Sequence, residues 1–380
     1  MNGVVNLSPG KEFDEINRFW QGCPTIARTK GGRLYAGWYS GGTCEPSLKN
    51  YNLLVKSDDN GRSWSRPVLV IPSLEDEAIC CIDIQLFIDP EYRMWIFWTQ
   101  RDFHYAHADE KHLSSYAVIC DDPDAEVLTL SEPRYIAPGF SRCQPTVLSD
   151  GRWLLCAYDF QEGNYHYSES GDKGVTWARK NGALRCCPRN FDEPMILERR
   201  DGSLWFLART AVGVGFLAEA FSFDGGATWE DSHLTDIADP SARFFLRRLR
   251  SGRVLLIKND SRGQSKNIKE RYNMTAFLSE DDGKSWCASL LIDPGNCSYP
   301  DAVEDENGNI YLVHDRGRYS AREIVISRFT EEDILNGSLT DNSSFVNQII
   351  SKAPAVPVNP EIYAAQKAED AAMIARYFTR

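Results

Sequence analysis

Residues 278–286 read LSEDDGKSW, and the pattern inside them, Ser-x-Asp-x-Gly-x-Ser/Thr-Trp, occurs four times: SDDNGRSW from Ser57, SGDKGVTW from Ser170, SFDGGATW from Ser222 and this copy from Ser279. Each copy is a polar turn between two strand-like runs. An Asp can accept backbone N–H groups, a Gly can take positive φ, and the Trp can cap a sheet. That chemistry closes a β-hairpin and needs no ligand, so these turns read as scaffold.

A second repeat interleaves with the first, a turn followed by an apolar strand: KGGRLYAGWY, DPEYRMWIFW, SDGRWLLCAY, RDGSLWFLAR, RSGRVLLIKN and ENGNIYLVHD. The residues just after these turns are Arg33, Arg93, Arg152, Ser203, Arg253 and Asn309, in steps of 60, 59, 51, 50 and 56 residues. A period near 50 with four short strands per unit predicts a β-propeller blade. The expected fold is therefore all-β, a six-bladed propeller over residues 1–350, followed by a tail, 351–380. Blade 2 carries a degraded turn, CDDPDAEV from Cys120, and blade 6 replaces it with SRFTEEDI from Ser327. The N-terminal GVVNL is expected to supply the outer strand that closes blade 6, because closure removes a sheet edge.

The tail reads as a helix from Pro360 to about Phe378 after an Asn-Pro cap signal. Its small-residue stripe, Ala364, Ala368, Ala371, Ala375 and Phe378, is expected to dock on the chain's own propeller; a homo-oligomer contact is the alternative.

Composition narrows the partners. A net charge of −12 with no basic stripe argues against nucleic acid and anionic membranes, and a small molecule fits better. The first residues, MNGVVNLSPGKEF, lack the pattern of a signal peptide, and no apolar run is long enough to span a bilayer, so a cytoplasmic location is expected. Eleven cysteines, with the adjacent pairs Cys80–Cys81 and Cys186–Cys187, suit buried small residues better than a disulfide framework. No CxxC spacing occurs, and His104, His107 and His112 lie in a polar loop without a matching ligand pattern, so no metal and no cofactor are expected.

In a propeller the innermost strand of each blade starts at one mouth of the channel. Aligning these starts on the Pro of GCPTIARTKGG, RCQPTVLSDG, DEPMILERRDG and SYPDAVEDENG, and counting back eight residues from the turn in blades 2 and 5, brings Cys23, Asp83, Gln144, Glu193, Arg243 and Tyr299 to equivalent positions. Blade 3 is two residues shorter. Five of the six are polar or ionisable where a structural strand would carry Val or Leu. That marks a site, although a water-filled channel mouth tolerates polar residues too.

At these positions the chain resembles the sialidases. Glu193 opens the blade 4 inner strand and Arg209 follows sixteen residues later, Arg271 opens the strand that runs to the blade 5 turn, and Tyr299 opens blade 6. The resemblance implies Tyr299 as nucleophile, Glu193 as its base, and Arg209 and Arg271 as a carboxylate clamp. The physical logic is that a carboxylate nucleophile would be repelled by an acidic sugar, whereas a neutral Tyr is not. Planar arginines bind a carboxylate bidentately.

Two features depart from the family. Gly22 stands where sialidases carry the first arginine of a triad; Arg243 could replace it, as could Arg18, Arg316 or Arg318. The family's acid/base Asp is also absent, leaving Glu45 or Asp83 as candidates and Gln144 as a further substrate contact. The expectation is a sialidase-like, exo-acting glycoside hydrolase for sialic acid or a related acidic sugar or oligosaccharide, retaining in stereochemistry. The alternatives are a non-catalytic glycan-binding or scaffold propeller, or a lyase or hydrolase for uronate-type sugars.

Overall fold

The computed structural model describes residues 4–105, 112–159, 163–187, 191–264 and 270–378. They form six four-stranded antiparallel sheets, at residues 20–72, 79–138, 146–184, 195–238, 245–293 and 297–352, each running in chain order from its first strand to its last. The fold is a six-bladed β-propeller, as the repeat arithmetic requires.

The reason lies in the second strand of each blade. Leu34–Gly41, Met94–Asp102, Trp153–Ala157, Leu204–Ala208 and Val254–Asn259 are buried almost without interruption. A strand apolar on both faces needs cover on both, which blade-on-blade stacking provides.

The chain divides into two compact units, residues 1–140 with 313–326 and 348–380, and residues 141–312 with 327–347. In the first unit, Tyr35, Leu86, Ile96, Trp98 and Val118 belong to one buried cluster. The second has one cluster around Trp205, Phe206 and Phe244 and another around Ile257, Leu278, Leu312 and Phe329.

The repeated turns close the third strand of blades 1, 3, 4 and 5. In the blade 5 copy, Ser279 Oγ donates to Asp281, and Asp281 accepts from the backbone N–H and the hydroxyl of Ser285 at 2.8 and 2.6 Å. The same bonds recur at Asp59, Asp172 and Asp224. The glycines at 226 and 283 have φ of 93° and 83°, and a Cβ there would run into Tyr167 and into the Trp205 ring of the preceding blade. The turn therefore requires glycine for its backbone and for its close approach to a neighbour. In blade 6, SRFTEEDI instead caps a helix, α1 (Glu331–Asn336): Thr330 and Asp333 exchange hydrogen bonds in a capping box.

Two expectations change. Blade 6 is closed by Phe345–Lys352, while the N-terminal segment lies elsewhere, with Asn6 bridging to Val70 on the outer strand of blade 1. The second concerns the tail helix, α2, which spans Pro360–Phe378 as expected but does not dock through its alanines. Ala364, Ala368, Ala371 and Ala375 are exposed, whereas Tyr363, Gln366, Asp370, Met373 and Tyr377 face the unit. Asp370, 3% exposed, accepts from the backbone N–H and hydroxyl of Thr43 and from the hydroxyl of Ser47. Tyr363 meets Phe19 edge-on at 5.2 Å. Buried hydrogen bonds and aromatic contacts outweigh what a methyl stripe can bury.

The turn carboxylates are held at about 2, chiefly by the hydroxyl of Thr176 for Asp172, of Thr228 for Asp224 and of Ser285 for Asp281. Their pKa is depressed on folding, so their contribution is present above the unfolded value of about 4 and is lost as pH falls toward 2. Asp281→Ala should lower Tm by a few degrees at pH 7, and the gap to the parent protein should close between about pH 4 and pH 2. A gap that does not change with pH would show that the carboxylate charge is not what holds the turn.

Candidate active site

Left-handed backbone marks four of the six aligned inner-strand starts. Cys23, Asp83, Glu193 and Tyr299 have φ of 59°, 62°, 40° and 57°, values that cost a side-chain-bearing residue energy and that concentrate at functional sites. The strand pairing slips at the same places in blades 1 and 2, between Gly22 and Thr25 and between Ile82 and Gln85. A bulge of this kind re-aims a side chain at a strand end. Blade 5 departs: its left-handed residue is Ser241, at 58°, two residues before Arg243.

In the second unit these bends bring Tyr299 and Glu193 together. The Tyr299 hydroxyl donates to Glu193 Oε1 at 2.9 Å, and Arg209 Nη1 donates to Glu193 Oε2 at 2.8 Å. The three residues are 8%, 2% and 5% exposed. Burial pushes the Glu193 carboxyl up, but Arg209, Arg142 and Arg271 outweigh it and hold the group below its ordinary value. Glu193 is thus an anion in a cationic shell.

Arg271 joins the group. Its guanidinium carbon lies 5.4 Å from the centre of the Tyr299 ring, and Nη2 donates to the Ser241 carbonyl at 3.1 Å. Its Nη1 is buried and finds no hydrogen-bond acceptor among the described residues.

Ser241 serves both arginines, because its hydroxyl also accepts from Arg209 Nε at 3.2 Å while donating to the Thr210 carbonyl at 2.8 Å. Behind it, Asp239 is buried, and burial raises its carboxyl pKa against the pull of Lys258, Arg209 and Arg271.

Arg243 does not serve as a replacement clamp. It is 1% exposed, its Nε donates to the Arg142 carbonyl at 2.8 Å, Nη1 donates to the Pro300 carbonyl, and Nη2 lies 3.5 Å from Asp301. It ties the blade 3 and blade 6 strand starts together. Gln144 accepts from Arg247 at 3.3 Å.

The remaining candidates belong to the first unit. Glu45 accepts from the Tyr39 hydroxyl and from Arg318 Nη1. Asp83 is 5% exposed in its bent backbone. Arg318 explains Gly22: a Cβ at that position would collide with Cδ of Arg318, which lies across the glycine and also reaches Cys23 Sγ at 3.5 Å. The space left by the missing arginine side chain is filled from the segment between the second and third strands of blade 6. Arg18 is buried and donates to the Phe13 carbonyl and to Ser351, and Arg316 pairs with Glu323, so neither presents a free clamp.

His104 and His112 pair with Asp102 at 2.9 and 3.6 Å, and His107 lies outside the described residues. Among the described residues no helix is long and apolar enough to cross a membrane.

Sequence reasoning missed Arg142, Ser241, Asp239 and Arg247. A signal for Arg142 was present, a basic residue just ahead of the aligned start of blade 3, but counting to the Pro placed attention on Gln144. Ser241 acts through a backbone carbonyl and one hydroxyl, which no spacing rule reveals.

Residues 86–312 match the BNR repeat-like domain family. The chain belongs to that family. Over 157 residues, 39% of this chain, it is 27% identical to a sialidase of Micromonospora viridifaciens, and the match spans 23% of that relative's length. Its fold is similar to that of the NanB sialidase of Streptococcus pneumoniae, with a TM-score of 0.64 at 16% identity over 92% of this chain and 70% of that one. It is also similar to a leech intramolecular trans-sialidase solved with 2,7-anhydro-Neu5Ac, with a TM-score of 0.66 at 14% identity, over 89% of this chain and 71% of that one.

The Glu193–Arg209 pair in this BNR repeat-like chain is buried enough to couple strongly. In a double-mutant cycle of Glu193→Gln and Arg209→Gln, the interaction energy should be about 1.5–3 kcal/mol in stability. A value under about 0.5 kcal/mol would mean that the two side chains are not paired in solution.

Proposed function

We propose that this chain is a sialidase-like glycoside hydrolase acting on sialic acid or a related acidic sugar through Tyr299. The observation that carries the reading is the 2.9 Å hydrogen bond from the Tyr299 hydroxyl to the buried Glu193 carboxylate, with the unpartnered Nη1 of Arg271 beside the same ring.

A phenol beside a carboxylate of low proton affinity stays neutral in the resting protein. Its acidity rises only as its oxygen begins to bond to an electron-poor anomeric carbon, so proton transfer to Glu193 accompanies attack. In that step the Tyr299 Oη–anomeric carbon bond forms, the bond to the leaving oxygen breaks, and the phenolic proton passes to Glu193. An aryl leaving group departs as a stable phenolate and requires no acid. Water then cleaves the glycosyl–tyrosine bond: its hydroxyl goes to the anomeric carbon, one proton is released, and Glu193 returns its proton to Tyr299. Two displacements retain configuration.

The charge around the pair suits an acidic sugar. Arg271 offers a free donor, while Arg209 Nη1 and Nε are committed to Glu193 and Ser241. A single free arginine holds a carboxylate less firmly than a triad, by roughly 1.5–3 kcal/mol for each charge-assisted contact not made. A cytoplasmic location and a small-sugar partner accord with this reading.

Turnover should be measured on a panel of aryl glycosides that includes a sialoside and several other acidic sugars. We expect release from at least one, with the sialoside a weak substrate. Tyr299→Phe should abolish turnover while calorimetry still detects binding. Because Glu193 is held low, the acid limb of kcat/KM should lie below the ordinary glutamate range of about 4.3. Neither release nor binding across the panel would leave a non-catalytic propeller as the better description; efficient sialoside cleavage would refute the weakened clamp.

A further inference from the structure

Arg142 lies in the approach to the short first strand of blade 3 and is 4% exposed. Its guanidinium carbon sits 4.5 Å from the centre of the Tyr299 ring, closer than that of Arg271. Its Nε is 3.7 Å from Glu193 Oε1, the same oxygen that receives the Tyr299 hydroxyl. One cation therefore lies beside both partners of the pair, near the carboxylate oxygen that accepts the Tyr299 hydroxyl.

The main chain around Arg142 is fixed as tightly as its side chain. Arg243 joins the Arg142 carbonyl to the carbonyl of Pro300, the residue after Tyr299, and approaches Asp301 with its remaining nitrogen. A fully buried arginine spent on two backbone carbonyls has a high desolvation cost. What it secures is the placement of Arg142 over the Tyr299 ring.

We propose that Arg142 is a positioning residue for the Tyr299–Glu193 pair, holding the ring and the carboxylate in register and stabilising the one negative charge they share wherever the proton sits. The inference rests on reading that pair as the reacting groups. A cation over the ring of a phenol favours its oxyanion, and a cation fixed in a water-poor site needs no reorganisation when charge moves from the carboxylate to the phenolic oxygen. The charged groups around Tyr299 are Glu193, Arg142 and Arg271, with Arg209 behind Glu193 and the Arg243–Asp301 pair behind Pro300. Among the described residues Arg142 and Arg271 lie over the ring, and Arg271 Nη1 finds no acceptor there.

The test uses Arg142→Met and Arg142→Lys in the full chain, with NMR of ring-labelled tyrosine to follow ionisation of Tyr299, assigned by comparison with Tyr299→Phe. In Arg142→Met the alkaline transition of Tyr299 should move to higher pH, and Arg142→Lys should bring it part of the way back. On whichever aryl glycoside the parent cleaves, Arg142→Met should lower kcat by about 10²-fold with little change in KM. A Tyr299 transition that is unmoved in a folded Arg142→Met protein would overturn the proposal. So would failure of both variants to fold, since that would make Arg142 a structural strut. If the transition moves and no acidic glycoside is cleaved, the inference about Arg142 stands and the proposed activity falls.

Discussion

A blade whose strands are apolar on both faces cannot exist alone, and that constraint governs the molecule. Strands such as Met94–Asp102 and Leu34–Gly41 have no solvent face, so each sheet must be covered by another. The polar turns of blades 4 and 5 seat their glycines against Tyr167 and Trp205 of the blade before, so the contact that defines one blade's hairpin also sets its distance from its neighbour. Once the stacking is fixed, the inner-strand starts come at repeated heights, and the left-handed bends at Glu193 and Tyr299 turn two side chains from different blades toward each other. The 2.9 Å contact between them joins two blades that are far apart in the chain.

That separation explains what was legible in the sequence. The turns carry their own chemistry, Ser, Asp, Gly and Trp at fixed offsets, and chemistry that is local in sequence can be read from sequence. The aligned starts were legible for the same reason, a Pro at one distance from the turn in blades 1, 4 and 6 and the same count in blades 2 and 5. Glu193, Arg209, Arg271 and Tyr299 are legible in this way as candidates, and the fold brings them together. Arg142 was not, because blade 3 aligns on Pro145, two residues nearer its turn; the count shared by the other blades would have ended on Arg142. Arg243 was assigned to ligand because its charge is visible in sequence while its acceptors, the carbonyls of residues 142 and 300, are not.

The tail shows the same limit from another side. Helical periodicity gave Pro360–Phe378 correctly, since capping and spacing are local. The docking face was misjudged because small size suggested close packing, whereas the unit offered hydrogen-bond donors at Thr43 and Ser47 and a ring at Phe19. Which face a helix uses depends on what it meets. The glycine at position 22 belongs to this class too: the side chain that lies against it is Arg318, almost three hundred residues away.

The grip of Asp370 on Thr43 and Ser47 also changes how the segment between them, which carries Glu45, should fluctuate. Local opening in a protein follows cooperative units rather than sequence neighbours. The Thr43 amide has its acceptor on α2, so its exchange with solvent is gated by the lifting of a helix that docks through one aspartate and a few rings, while the strands on either side exchange only as their blade opens. Glu45 thus sits on a short segment tied at both ends to one aspartate of α2, besides its own bonds to Tyr39 and Arg318.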